Sequence, residues 1–209
     1  MNCRHFISIL SSVLLAVLSP LRAEEDHSFA LQDGDIVFSG CTEGQGAAIS
    51  AATGSPITHC GIVFKKEGRW MVFEAVQPVS VTTFENFIGR VKKGTFAVRR
   101  LKTAAEPESY QKASKWAAAQ IGHDYDVLFG WEDKKLYCSE LVWKFYQQAG
   151  IELCPLRKFR DYDLHHPLVK KMIEQRYGSM EKLPLDEKIV APSDLLASSL
   201  LMDVPKIAK

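Results

Sequence analysis

The stretch THCGIVFKKEGRWMVFEAV, residues 58–76, restricts the fold more than any other part of the chain. Two runs rich in β-branched and aromatic residues flank Lys65-Lys66-Glu67-Gly68, a polar turn with a glycine in it, so the pattern predicts an antiparallel hairpin. Side chains alternate across a strand. His59, Gly61 and Val63 therefore share one face of the first arm, and Cys60, Ile62 and Phe64 take the other. On the second arm Trp70, Val72 and Glu74 lie opposite Met71 and Phe73. Glu74 interrupts an apolar run, and a carboxylate is costly to bury there without a partner. If the corresponding faces of the two arms coincide, Glu74 lies beside His59.

A second stretch, LYCSELVWKFYQQAG (136–150), predicts a helix with an apolar stripe of Leu141, Val142, Phe145 and Ala149, ended by Gly150. Cys138 stands at its start. Free backbone N–H groups and the positive end of the helix dipole lower a thiol's pKa at that position. A thiol nucleophile also needs an imidazole nearby, held by a third polar group. His59 and Glu74 are the candidates. Each residue also has a plainer reading. Cys138 suits a packed core position or half of a disulfide, His59 a satisfied strand residue, and Glu74 a sheet edge with its head in water. The residues by themselves leave these alternatives open.

The rest of the chain supplies ordinary elements. Asp33-Gly34 is a turn ahead of a strand in 31–40, and 47–52 is a short helix stopped by Gly54 and Pro56. A strand is expected within 94–101 and a helix over 106–122 with Pro107 in its first turn. Residues 123–137 form a loop rich in aromatics, where Tyr125, Trp131 and Tyr137 read as core before they read as site. Glu140 reads as a first-turn acid favoured by the dipole. His165-His166 lead into a helix over 166–178 opened by Pro167, rather than forming a ligand pair. Residues 189–200 hold a strand end and a short helix from Pro192. No repeat, low-complexity tract or linker interrupts the chain. The class is α+β, a small antiparallel sheet with helices segregated from it, in one domain over 24–209.

Composition removes several function classes. The 26 basic and 25 acidic residues give a formal net charge of +1, and no basic run exceeds two residues, so nucleic-acid binding has no electrostatic footprint. At the N-terminus, Arg4 and His5 precede an apolar run, Phe6 to Leu18, and Ala23 stands before Glu24-Glu25-Asp26. This reads as a signal peptide over 1–23, too short an apolar run for a membrane span, and the mature chain is expected to be periplasmic or secreted without a transmembrane anchor. Cys41, Cys60, Cys138 and Cys154 remain after cleavage. An oxidising compartment allows them to form disulfides, the main competitor to a free Cys138. The absence of C-x-x-C spacing argues against a zinc site.

Three pieces, GDIVF (34–38), THCGIVF (58–64) and YCSELV (137–142), resemble the signatures of papain-like cell-wall peptidases of the NlpC type. In that type the cysteine helix comes first; here the cysteine comes last. The order is similar to the circularly permuted branch, the YiiX/YaeF-like papain-like amidases, and VFEAV, GHDYD and HHPLVKKMIEQRYG fit the same group. The resemblance spans about 30 to 200. It implies a papain-like small sheet or half-barrel packed against helices, Cys138 as nucleophile and His59 as base. It puts Glu74 in the third place, where many unpermuted relatives carry another histidine. Tyr125 corresponds to a tyrosine lining the site, and Tyr125 and Tyr137 are candidates for binding substrate or an oxyanion, alongside the Cys138 backbone N–H. The implied function is an exported cysteine amidase or peptidase working through an acyl-enzyme, with no cofactor or metal. The implied substrate is a peptide, a peptidoglycan fragment or, as in lecithin retinol acyltransferase with similar architecture, an acyl-lipid. A non-catalytic binding domain is the remaining alternative.

Overall fold

The computed structural model describes residues 28–207, so the expected signal peptide lies outside it. The elements run β1 (Ile36–Ser39), α1 (Gly44–Thr53), β2 (His59–Lys66), β3 (Arg69–Glu74), β4 (Ser80–Thr83), α2 (Phe84–Ile88), β5 (Ala97–Leu101), α3 (Pro107–Ala119), β6 (Asp124–Tyr125), β7 (Lys135–Leu136), α4 (Cys138–Gln148), β8 (Arg157–Lys158), α5 (Pro167–Tyr177), β9 (Lys188–Ile189), α6 (Pro192–Leu196) and β10 (Leu201–Asp203). Six strands form one antiparallel sheet in the order β10-β5-β1-β2-β3-β4. The α+β reading holds, as does the central hairpin.

The hairpin turns on Glu67 (φ 50°) and Gly68 (φ 81°), a two-residue loop with both residues left-handed. That geometry matches the twist of the flanking strands, and glycine adopts it without strain. The expected faces are realised. Cys60, Ile62 and Phe73 join Ile36 and Phe38 in the main core against Leu141, Val142 and Phe145 of α4. Val37, Val63 and Val72 pack on the opposite face under Phe84 and Phe87 of α2. A third cluster, with Phe159, Val169, Ile173 and Leu183, seats α5 against Ala51 and Ala52 of α1.

Gly61 has a specific packing reason. A Cβ there would meet Val72 Cγ1 at 2.6 Å and the Phe73 carbonyl at 3.0 Å, with Glu74 Cβ at 3.3 Å. Gly61→Ala is expected to destabilise the protein by about 1–3 kcal/mol through overpacking. A thermal melt tests this; an unchanged Tm would show that the hairpin yields freely.

Two expectations need correction. The expected apolar stripe of α4 is too narrow, because every residue from Cys138 to Tyr146 is buried. The sheet covers one side of the helix, while α3 and α6 pack elsewhere on it. Glu140 is therefore a buried first-turn acid, 2.8 Å from the Lys144 ammonium, and accepts the Tyr137 N–H at 3.3 Å. Lys144 also reaches Asp133 at 2.8 Å. The aromatic loop 123–137 is not entirely irregular either: β6 and β7 pair in parallel within it.

Candidate active site

His59 is the first residue of β2, and Glu74 is the last of β3. The strand pairing brings the two onto one face, and His59 Nε2 lies 2.6 Å from Glu74 Oε2. The glutamate side chain is 1% exposed and that of His59 22%. The partner needed for a buried carboxylate is thus present, and there is a second one. Arg90, just beyond α2, donates to Glu74 Oε1 at 2.5 Å. Phe87 of α2 stacks on the imidazole, with centroids 5.7 Å apart and planes 21° from parallel. The Arg90 guanidinium in turn sits 5.5 Å over the Phe87 ring.

Glu74 occupies Nε2, which leaves Nδ1 as the ring nitrogen available to a thiol, and Cys138 is the neighbour that does most to raise His59. Cys138 opens α4 and is 2% exposed. Its first turn is clamped by the backbone of a single residue: Ser139 Oγ donates to the Val190 carbonyl at 2.7 Å, and the Val190 N–H donates to Tyr137 Oη at 3.2 Å. Neither this clamp nor the Phe87–Arg90 support is legible as a motif, since each depends on contacts between distant segments.

The electrostatics follow from these contacts. A hydrogen bond from the Cys60 thiol holds the Cys138 thiol well below its ordinary range against the effect of burial, and His59 adds to this through hydrogen bonding and charge. Burial pushes the Cys60 thiol well up, and the neighbouring Cys138 pushes it further. Burial pulls His59 down, but its bonds to Cys138 and Glu74 outweigh this and raise it to about 9. Burial pushes Glu74 up, but His59 and Arg90 win and hold it below the usual carboxylate value. These shifts all favour a thiolate–imidazolium pair with an ionised carboxylate behind it. Cys41, Cys60, Cys138 and Cys154 are all free, so Cys138 is not half of a disulfide.

A cleft of about 800 Å³, counting space open to solvent, has Cys138 in its lining. Ile49 and Ala52 of α1, Phe129, Val169 and Ile173 of α5, and Val190 make its walls largely apolar. Tyr125 and Tyr137 both line it. Tyr125 Oη accepts from Gln45 Nε2 at 2.7 Å. Tyr137 is buried, with its hydroxyl engaged by Val190. His166 accepts the Leu168 N–H through Nδ1 and so caps α5, as a helix lead-in should.

Comparison with known proteins agrees with this geometry. A family profile described as permuted papain-like amidase enzyme, YaeF/YiiX, C92 family, matches residues 30–204. The chain is 35% identical over 193 residues to "Uncharacterized protein YiiX" of Escherichia coli (strain K12), covering 92% of this chain and 95% of that one. A crystal structure of "metalloprotein yiiX" from Escherichia coli O157:H7 superposes with a TM-score of 0.77 at 36% identity, covering 85% of this chain and 98% of that one. The word metalloprotein belongs to that relative. Among the described residues here, no group of three or more His, Cys, Asp or Glu side chains could hold a metal ion. At the candidate site, Glu74 already has both oxygens engaged by His59 and Arg90, so the donor set does not fit a metal. From the agreement of profile, relative, fold and permuted motif order, the chain belongs to the permuted papain-like amidases of the YaeF/YiiX, C92 family.

Proposed function

We propose that the protein is an exported cysteine amidase that cleaves its substrate through an acyl-enzyme on Cys138. The observation that carries this reading is the junction of the Cys138 thiol, His59 and Glu74, with the thiol lowered and the imidazole raised. The thiolate attacks the amide carbonyl, forming a C–S bond. The His59 imidazolium gives its proton to the leaving nitrogen as the C–N bond breaks. Water then attacks the thioester, His59 takes a proton from it, and the C–S bond breaks to return the thiolate. The Cys138 N–H, in the unpaired first turn of α4, and the Tyr125 hydroxyl stabilise the oxyanion. Glu74 holds the ring and its positive charge. Peptides of the cell wall are the proposed amide substrates. The test is hydrolysis of muropeptides with intact-mass detection of an adduct on Cys138; hydrolysis that proceeds without any covalent intermediate would defeat the acyl-enzyme. Export is tested by fractionating cells that express the full chain.

A second reading is favoured by the apolar walls of the cleft: an acyl-lipid as the acyl donor, with ester hydrolysis or transfer in place of amide hydrolysis. A fatty-acyl chain suits a cleft lined by Ile49, Phe129, Val169 and Ile173, because burying each methylene contributes about 0.8 kcal/mol. An acyl adduct on Cys138 from lipid alone, with none from muropeptides, would select this reading.

The pH dependence follows from the two shifted groups. Activity needs Cys138 ionised and His59 protonated. Cys138 lies well below the ordinary thiol range, and His59 is raised to about 9. Activity is therefore expected to fall on the acid side as the thiolate is protonated and on the alkaline side near 9 as the imidazolium is lost. The two apparent values belong to the pair. Because His59 is raised in the folded protein, its contribution to stability is complete below about 6.5 and is lost as pH rises through about 9. A pH profile of kcat/KM checks the first point and Tm against pH the second; an alkaline limb near 6.5 would show that the pair does not form.

A further inference from the structure

The oxyanion role of Tyr125 requires its hydroxyl proton to point toward the reacting carbonyl, and a phenol is free to rotate that proton elsewhere. The structure contains a reason for one direction. Arg176 of α5 donates to Gln45 Oε1 at 2.5 Å and to the Val127 carbonyl at 2.7 Å. Its guanidinium also lies 5.1 Å over the Phe129 ring. A guanidinium can only donate, so the amide of Gln45 must turn its oxygen toward Arg176. The amide nitrogen then faces Tyr125 and donates to its oxygen at 2.7 Å. The phenol oxygen is an acceptor in this bond, and its own proton is left for the cleft. Tyr125 and Cys138 both line that cleft, and the Cys138 charge, after burial, is the next cause pushing the phenol well above its ordinary range. The group stays protonated and remains a donor at neutral pH.

We infer that Arg176 and Gln45 are positioning residues that set the direction of the Tyr125 hydroxyl, so that its proton meets the carbonyl oxygen as Cys138 attacks. This rests on the acyl-enzyme reading above and assigns two residues to it. The three side chains come from α1, β6 and α5, separated by 80 residues between Gln45 and Tyr125 and by 131 between Gln45 and Arg176. No proton is transferred in this step. The O–H bond of Tyr125 stays intact, its hydrogen bond strengthens as charge builds on the carbonyl oxygen, and it weakens again when the C–N or C–O bond of the leaving group breaks.

A purely structural role would tie α1 to α5 without touching the chemistry, and the test separates the two. The burst of p-nitrophenolate from p-nitrophenyl octanoate reads acylation of Cys138. Alkylation by iodoacetamide, followed at the Cys138 peptide because Cys41 is also free and exposed, reads the thiolate without needing an oxyanion. Tyr125→Phe is expected to slow the burst about 10²-fold, with alkylation at the wild-type rate. Gln45→Met should slow the burst comparably, and Gln45→Met with Tyr125→Phe no more than Tyr125→Phe alone, because both remove one interaction. Arg176→Lys, still a donor, should retain more of the burst than Arg176→Met. A wild-type burst in Tyr125→Phe, or losses that multiply in the double variant, would overturn the inference while leaving Cys138 as nucleophile. A loss of alkylation parallel to the burst would also overturn it, by showing disruption of the site as a whole. A wild-type protein that is alkylated but gives no burst would overturn the acyl-enzyme reading and this inference with it.

Discussion

Cys138→Ala is expected to lower kcat by at least about 10³-fold, to the residual rate left by binding and oxyanion contacts alone. No other group near the carbonyl can form the covalent intermediate. Cys60 is adjacent, but burial, the largest cause of its raised pKa, still opposes its ionisation once Cys138 is gone. The substitution removes one buried sulfur from a well-packed helix start, a packing loss of about 1 kcal/mol. Tm should fall only slightly, which separates lost chemistry from lost folding. His59 also loses the partner that contributes most to raising it, so its titration by NMR should move down from about 9. A Cys138→Ala protein that hydrolyses substrate at the wild-type rate would rule out the mechanism.

The second large effect is expected from Glu74→Gln. Two donors, His59 Nε2 and Arg90 Nη2, converge on the two oxygens of this buried carboxylate. A glutamine keeps the shape but offers one oxygen, so one donor must face an NH₂ group. Either the ring loses its orientation and tautomer or the guanidinium is left unpaired. By analogy with other triads, kcat should fall by about 10²- to 10⁴-fold. Arg90 is 52% exposed and can turn to water, whereas leaving the more buried His59 Nε2 without an acceptor should cost about 1–3 kcal/mol of stability. The alkaline limb of the pH profile should also move down from about 9, since Glu74 helps to hold the proton on His59. Measuring kcat/KM across pH together with Tm covers all three consequences. Wild-type rates with an unmoved alkaline limb would show that Glu74 only fills space.

How much of this was legible in the chain can be argued from particular residues. The period-two pattern of 58–76 and its KKEG turn predicted the hairpin and its two faces, because alternation is a local property of a strand. Glu74 drew attention because it violated that pattern, and the violation lies where the structure places a buried ion pair. The start of α4 at Cys138 was legible, but its burial on every side was not. Lys144 and Glu140 look like an exposed face until α3, α6, the Glu132 carbonyl and the Asp133 side chain are known to close around them. Short elements such as β4, α2 and β10 went unread, since four or five residues carry too little periodicity to stand out.

The candidate site shows the same division. Cys138 and His59 came from motifs, and their order along the chain pointed to a permuted arrangement. Phe87, Arg90, Val190, Gln45 and Arg176 carry no local signal. Each matters through one contact with a residue far along the chain, and only packing brings them together. The sequence alone determined which residues could do chemistry, because nucleophile, base and carboxylate are properties of side-chain type set in strand and helix patterns. The tertiary structure decided their surroundings: that Glu74 takes Nε2 of His59, that Arg90 shares the carboxylate, that burial raises the Cys60 thiol, and that the cleft is largely apolar. Those surroundings depend on burial and on distances of a few ångströms between segments, quantities that residue order does not contain.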